Sequence, residues 1–300
     1  MKKLTLFSML LIASLSCSKD DDNEPPSGID FKQEMRDFVI GISQYAKLNK
    51  SNFIIIPQNG IELVTDDGNE TGTPNAAYLN AIDGNGQEDL FYGYDNDDVI
   101  TPIATNTYLK AFLDVSRDAG NTILVTDYCS THSKMDNSYS QNNLKNYISF
   151  AADHRELDNI PVYPTPVYEE NNQVISSLGD AKNFLYLINP ENYASKLAFI
   201  NAITATSYDL LIMDLFFSDG SSFTSSEILQ LKNKANGGKR LVISYMSIGE
   251  AENYRYYWQS SWTSNKPSWM GKENPDWAGN YKVWYWEKEW QDIIYGNDNS

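Results

Sequence analysis

Short runs of consecutive apolar residues alternate with amphipathic stretches along most of this chain, and few folds absorb such a pattern. Met35, Phe38, Val39, Ile42 and Ala46 fall at the i, i+3, i+4, i+7 spacing of a helix face, and Phe53-Ile54-Ile55-Ile56 follows as an apolar strand bounded by Pro57. A helix over residues 108–119, stopped by Gly120, precedes Thr122-Ile123-Leu124-Val125. Residues 183–188 read as a strand, 193–203 as a helix and 210–213 as a strand. Thr224 and Glu227 have the capping-box spacing of the next helix, Gly237-Gly238 ends it, and Leu241-Val242-Ile243-Ser244-Tyr245 is another strand. Val283-Trp284-Tyr285-Trp286 is a further strand candidate. Strands this apolar are buried on both faces, as in parallel sheets, and their alternation with helices implies parallel βα units.

Polar residues gather where these strands end: Gln58 with Asn59, Asp127, Asp214, and Glu250 with Glu252. In a (β/α)8 TIM barrel, which takes about 250 residues, the carboxyl ends of the strands form the active-site face. The 300-residue length suits one such α/β domain over residues 31–300. A doubly wound open sheet also binds ligands at its carboxyl ends, so the pattern alone leaves both architectures standing.

The sequence has no Gly-rich phosphate loop, no nucleophile elbow and no metal-spaced His or Cys cluster. His132 and His154 are its two histidines, Cys17 and Cys129 its two cysteines. Carboxylates are therefore the expected chemical actors, and no cofactor or metal is expected.

Lys2 and Lys3, an apolar run over residues 4–13 and small residues up to Cys17 have the layout of a secretory signal over residues 1–17. Ser14-Leu15-Ser16-Cys17 resembles a bacterial lipoprotein signal, with Cys17 the lipidated residue, and Ser18-Lys19-Asp20-Asp21-Asp22 resembles the acidic export tag of Bacteroidetes surface lipoproteins. Residues 18–30 then read as a flexible tether. The expected location is the cell surface or outer membrane; a plain cleaved signal with an incidental cysteine is the alternative. Lipidation of Cys17 would leave Cys129 without a disulfide partner.

A formal charge of -17 argues against nucleic acid and against anionic headgroups as partners, so membrane contact is expected through the anchor alone. Acidity keeps an exported protein soluble; it also suits a cationic glycan as ligand. Oligomeric state is left open.

Residues 208–214, Tyr-Asp-Leu-Leu-Ile-Met-Asp, residues 245–255, Tyr-Met-Ser-Ile-Gly-Glu-Ala-Glu-Asn-Tyr-Arg, and Glu273-Asn274-Pro275-Asp276-Trp277 resemble bacterial glycoside hydrolases related to endo-α-1,4-polygalactosaminidase. Pro57-Gln58-Asn59-Gly60, residues 82–92 and Val125-Thr126-Asp127-Tyr128 resemble the same family. The order differs: segments resembling residues 183–290 come first in the family, and those resembling 31–158 come last. The resemblance thus implies a circularly permuted barrel, which is tolerable where termini lie close together. It also implies a Leu-Asp strand between the segments resembling Trp290 and Phe31 that is not found, so the barrel is expected to be incomplete toward the C-terminus unless Tyr147-Ile148-Ser149-Phe150 fills the gap.

Glycoside cleavage generally uses two carboxyl groups, one as acid and one as nucleophile or base. The resemblance makes Glu88 the acid, against a surface glutamate beside Asp89, with Asp83 or Asp127 as a neighbour able to raise its pKa. With the Leu-Asp strand missing, Asp214 or Glu250 stands in as partner; for Asp214 the alternative is a cap or a structural hydrogen bond to Ser218. Gln58, Asn59, Asp83, Tyr92, Asp127, Tyr245, Glu250 and Arg255 are candidate substrate contacts, though Arg255 with Glu250 or Glu252 also reads as a loop-fixing ion pair. Tyr254, Tyr256, Tyr257 and Trp258 either line the cleft or pack beneath it, and the tryptophans from Trp262 to Trp290 divide between sugar stacking and core. The functions expected are hydrolysis of an extracellular polysaccharide, with a galactosamine-rich polymer as the specific form, or non-catalytic carbohydrate binding by a surface lipoprotein.

Overall fold

The computed structural model describes residues 28–296; the signal segment, Cys17, most of the tether and residues 297–300 lie outside the described residues. Helix α1 (Phe31–Asn49) opens on Asp30, whose carboxylate accepts from Gln33 N at 3.1 Å. After an extended stretch at 53–58 come a 3-10 turn (Ile61–Val64), α2 (Ala76–Ala81) and β1 (Gly84–Glu88). The chain continues through α3 (Ile103–Asp118), β2 (Thr122–Tyr128), α4 (His132–Asn143), β3 (Ile148–Ala152) and β4 (Phe184–Tyr186). Then follow α5 (Lys196–Thr204), β5 (Leu210–Asp214), α6 (Ser225–Leu231) and β6 (Leu241–Tyr245). Thr224 and Glu227 form the expected reciprocal capping box on α6.

The strands β1-β2-β3 form one parallel sheet and β4-β5-β6 another. Residues 53–58 run along β1: Asp83 N donates to Ile55 O at 2.9 Å, Gly86 N to Pro57 O at 2.8 Å and Asn59 N to Gly86 O at 2.8 Å. The two sheets adjoin, since Phe150 of β3 meets Phe184 of β4 with ring centroids 5.7 Å apart and both belong to one apolar core. That core also takes Leu185, Leu210, Leu211 and Met213 from the second sheet. These are the continuous apolar runs of the sequence, and burial on both faces is what they required.

The chain is therefore a mixed α/β protein with parallel sheets; closure into a barrel is not seen. Among the described residues, no strand pairs with the edge of β6 away from β5 or with the edge of 53–58 away from β1. Both flanks are half-exposed, with Phe53 at 45 % and Ile54, Ile56, Val242 and Ile243 partly buried. Residues 148–152 do form a strand, but between β2 and β4, so they do not fill this opening.

Beyond β6 the pattern changes. The strands β7 (Glu250–Glu252), β8 (Met270–Glu273) and β9 (Asn280–Val283) make a small antiparallel sheet, followed by α7 (Lys288–Tyr295). Residues 283–286 are thus not a parallel barrel strand: Val283 ends β9, and Trp284 and Trp286 stack at 5.9 Å. This region has its own core, in which Trp262, Trp269 and Trp290 are buried beside Phe38 of α1. No helix among the described residues is long and apolar enough to cross a membrane.

Two buried cations tie loops to this frame. The side chains of Lys234 and Asp209 are both 0 % exposed and 2.7 Å apart, and Asn171 joins them through its carbonyl and its side chain. Arg36 donates from Nε to Leu63 O at 2.9 Å and also to Thr65 O, fastening α1 to the turn beyond the 3-10 segment. A buried charge left without such partners would be strongly destabilising.

Candidate functional site

The carboxyl ends of β1, β2, β4, β5 and β6 open into one cleft of about 1980 Å³ that also extends between the unpaired edges. Glu88, at the end of β1, lines it. Its carboxylate accepts from Asn59 Nδ2 at 2.8 Å and from the Tyr128 hydroxyl, while Glu88 N donates to Asn59 Oδ1 at 3.2 Å. Asn59 grips Glu88 at two points because its backbone is left-handed, with φ 58, a conformation Asn tolerates better than most residues. Gln58 lies across Gly86, where a Cβ would come within 1.9 Å of Oε1, so any larger residue there would push the Gln58 amide aside.

Tyr128 is buried, and that burial, reinforced by the neighbouring Glu88 carboxylate, pushes its phenol well above the ordinary tyrosine range. It therefore stays a proton donor to Glu88. Arg155 lies 4.0 Å from the centroid of the Tyr128 ring and holds Asp89 with two nitrogens at 2.8 and 3.2 Å. Burial raises the Asp89 carboxyl, with Arg155 opposing. Together these residues fix the ring against which Glu88 leans.

Across the cleft, Asp214 ends β5 and presents both oxygens to Arg255 Nη1, at 2.6 and 2.8 Å. Arg255 Nε also donates to Glu252. Side-chain exposures of 13 % for Asp214, 8 % for Arg255 and 4 % for Glu252 make this a largely desolvated triad joining β5 to β7. Asp214 Oδ1 additionally accepts from Phe216 N at 2.8 Å; that local bond goes to Phe216, not Ser218. Glu250 accepts from Asn274 at 2.7 Å and Asn280 at 3.3 Å. Tyr245 lines the same cleft, its phenol pushed up to about 12, chiefly by burial.

Three expected contacts lie elsewhere. Asp83 precedes β1, at the opposite end of the strand from Glu88, where it accepts from Ile55 N at 2.8 Å and pairs with Lys47 at 3.0 Å. Asp127 is fully buried and turned toward α4: its carboxylate takes Phe91 N, Tyr92 N, Ser138 Oγ and Asn142 Nδ2, while burial pushes it up to about 6. Successive strand residues face opposite ways, so with Asp127 outward it is Tyr128 that meets the cleft. Tyr92 is buried with Cys129, Met135 and Tyr139 and bonds Asn137 at 2.9 Å. The contacts the sequence did not disclose are Tyr128, Arg155 and Tyr186, which all line the cleft. Arg155 comes three residues after β3, where no motif marks it.

Among the described residues, no group of three His, Cys, Asp or Glu side chains is arranged to hold a metal ion. What the cleft offers is carboxyl chemistry: an oriented glutamate on one wall and ion-paired or amide-bound carboxylates on the other.

Comparison with known proteins bears on this arrangement. Residues 187–297, which carry β5, β6 and the antiparallel sheet, match the sequence model of glycoside-hydrolase family GH114. An uncharacterized protein of Methanocaldococcus jannaschii is 37 % identical over 129 residues, 42 % of this chain and 34 % of that protein. Uncharacterized proteins of Deinococcus radiodurans and Thermotoga maritima are 38 % identical over 94 residues and 37 % over 93, each covering 31 % of this chain. The chain spans about a third of the length of the curated relatives it matches.

Proposed function

We propose that this chain is a glycoside hydrolase acting on an extracellular polysaccharide, with Glu88 as general acid, and that it works at the cell surface through a lipid on Cys17. The observation that carries the reading is the setting of Glu88, held by Tyr128 and Asn59 in the same cleft as Asp214. The GH114 match over residues 187–297 supports glycosidase chemistry.

In the proposed reaction Glu88, protonated with the Tyr128 hydroxyl turned to accept from it, gives its proton to the glycosidic oxygen as the bond to the anomeric carbon breaks. Asp214 on the opposite wall stabilises the positive charge developing on the sugar, and water supplies the hydroxyl of the new reducing end, its proton returning to a carboxylate. Glu88, Glu191, Asp214, Asp219, Glu250, Glu252 and Asp292 line the cleft against Lys50, Arg155 and Arg255. That acidic excess favours a cationic amino-sugar polymer, α-1,4-linked galactosamine among them. The site's position at the strand ends suits a circularly permuted (β/α)8 barrel in which the opening between β6 and residues 53–58 is the place of an eighth strand.

A second reading, a non-catalytic carbohydrate-binding surface protein, is favoured by one feature: Asp214 is occupied by Arg255, and Glu250 by two asparagines. Release of reducing ends from amino-sugar and neutral polysaccharides separates the two. The first predicts cleavage that drops roughly 10²- to 10⁴-fold in Glu88→Gln. Undiminished activity of that variant would remove Glu88 as the acid, and binding without cleavage by the parent protein would select the second reading.

A further inference from the structure

The aromatic residues after β6 divide sharply by environment. Trp262, Trp269 and Trp290 are buried in the local core, with Trp258 and Tyr281 packed against it. Tyr254, Tyr256 and Trp277 are instead 60, 67 and 61 % exposed, and all three border the cleft that holds Glu88 and Asp214. Isolated exposed aromatics are ordinary; three bordering one acidic cleft are not isolated.

Their surroundings hold them in place. The Tyr254 hydroxyl donates to Glu252 at 2.9 Å, and Arg255 lies 5.2 Å from its ring centroid. Tyr256 stacks on Phe216, the second residue after β5, at 5.7 Å and 21°. The peptide groups of Trp277 bond Asn274 O at 3.3 Å and Asn280 N at 3.1 Å, tying it into the loop between β8 and β9. The two tyrosine rings, held in this way, lose little freedom on binding a ligand.

We propose that Tyr254, Tyr256 and Trp277 form a glycan-stacking subsite beyond the cleft carboxylates, taking pyranose units of an oligosaccharide longer than the pair flanking Glu88. The inference deepens the proposed function and rests on it. Flat rings with polar edges match the apolar C–H faces of sugars and leave the hydroxyls free for the carboxylates nearby. A protonated amino sugar gains further attraction from the negative faces of the rings. Polymer chains then bind more tightly than short oligosaccharides, because only they reach from Glu88 to the rim.

Binding of the full chain to soluble polygalactosamine, partly deacetylated chitosan and hydroxyethylcellulose, read by affinity electrophoresis and tryptophan fluorescence, tests the subsite. Tyr256→Ala with Trp277→Ala should weaken polymer binding about tenfold or more, Trp277→Phe should keep most of it, and Tyr94→Ala, at a ring 54 % exposed outside the cleft, should bind like the parent. Circular dichroism melts of each variant exclude unfolding as the cause. Unchanged affinity of the Tyr256→Ala/Trp277→Ala protein would overturn the subsite while leaving a hydrolase that still depends on Glu88. Absence of binding to all three polymers by the parent would overturn the subsite, and absence of cleavage as well would remove the hydrolase reading with it.

Discussion

Replacing Arg255 by Gln removes the cation that, among the described residues, pairs with two carboxylates 13 and 4 % exposed. In the parent, Asp214 and Glu252 give up water but gain charged hydrogen bonds to a single guanidinium. Without it, two like charges remain in a desolvated corner, retaining only bonds such as Phe216 N to Asp214 and the Tyr254 hydroxyl to Glu252. Breaking a buried pair from one side costs about 3–5 kcal/mol, which for a domain of this size lowers Tm by roughly 6–20 °C. Urea and thermal unfolding followed by circular dichroism measure the loss. The chemical reason can be separated from lost packing by adding Asp214→Asn and Glu252→Gln to Arg255→Gln. If the loss comes from uncompensated charge, the triple variant recovers at least half of it, because each neutralised acid no longer needs the partner. A loss under about 1 kcal/mol in Arg255→Gln, or no recovery in the triple variant, would refute the reasoning, since the first value belongs to exposed ion pairs.

Two further outcomes follow from features away from the cleft. Asp209→Ala strands Lys234 in a site where neither side chain is exposed, and should cost about 3–5 kcal/mol in urea unfolding, with Lys234→Met in the same background restoring part of it; a cost below about 1 kcal/mol would count against the pair as a structural tie. His154 lies 2.5 Å from Asp158 and 2.8 Å from Asp153, and its pKa is raised, first by the hydrogen bond to Asp158. Its stabilisation is therefore complete below the ordinary histidine pKa and disappears as pH climbs through the raised one; ring-proton NMR should find His154 titrating above about 6.5 and moving down in Asp158→Asn, and a parent value at or below 6.5 would contradict it.

Legibility of the sequence followed the physics of each segment. Continuous apolar runs at β2, β5 and β6 were readable because burial on both faces leaves no polar alternation, and α6 was readable from its capping box. The small antiparallel sheet escaped notice because Glu-Ala-Glu, Met-Gly-Lys-Glu and Asn-Tyr-Lys-Val are short and mixed, and their pairing depends on partners distant in sequence. Within the site, Glu88, Asn59, Asp214 and Arg255 come together as the strand-end argument requires. Asp127 shows its limit: when both faces of a strand are buried, nothing local says whether Asp127 or Tyr128 turns inward. Asp83 failed by position, since β1 begins one residue after it, and Arg155 was invisible because its importance comes from a ring and a carboxylate far along the chain.

The opening between β6 and residues 53–58 has a bearing on how the protein behaves in company. Unpaired strand edges usually recruit neighbouring molecules and seed ordered aggregates. Here the two edges border the same cleft, walled by α1 and by the end of α7. An added strand would have to lie between them as an extended segment to pair with both edges at once.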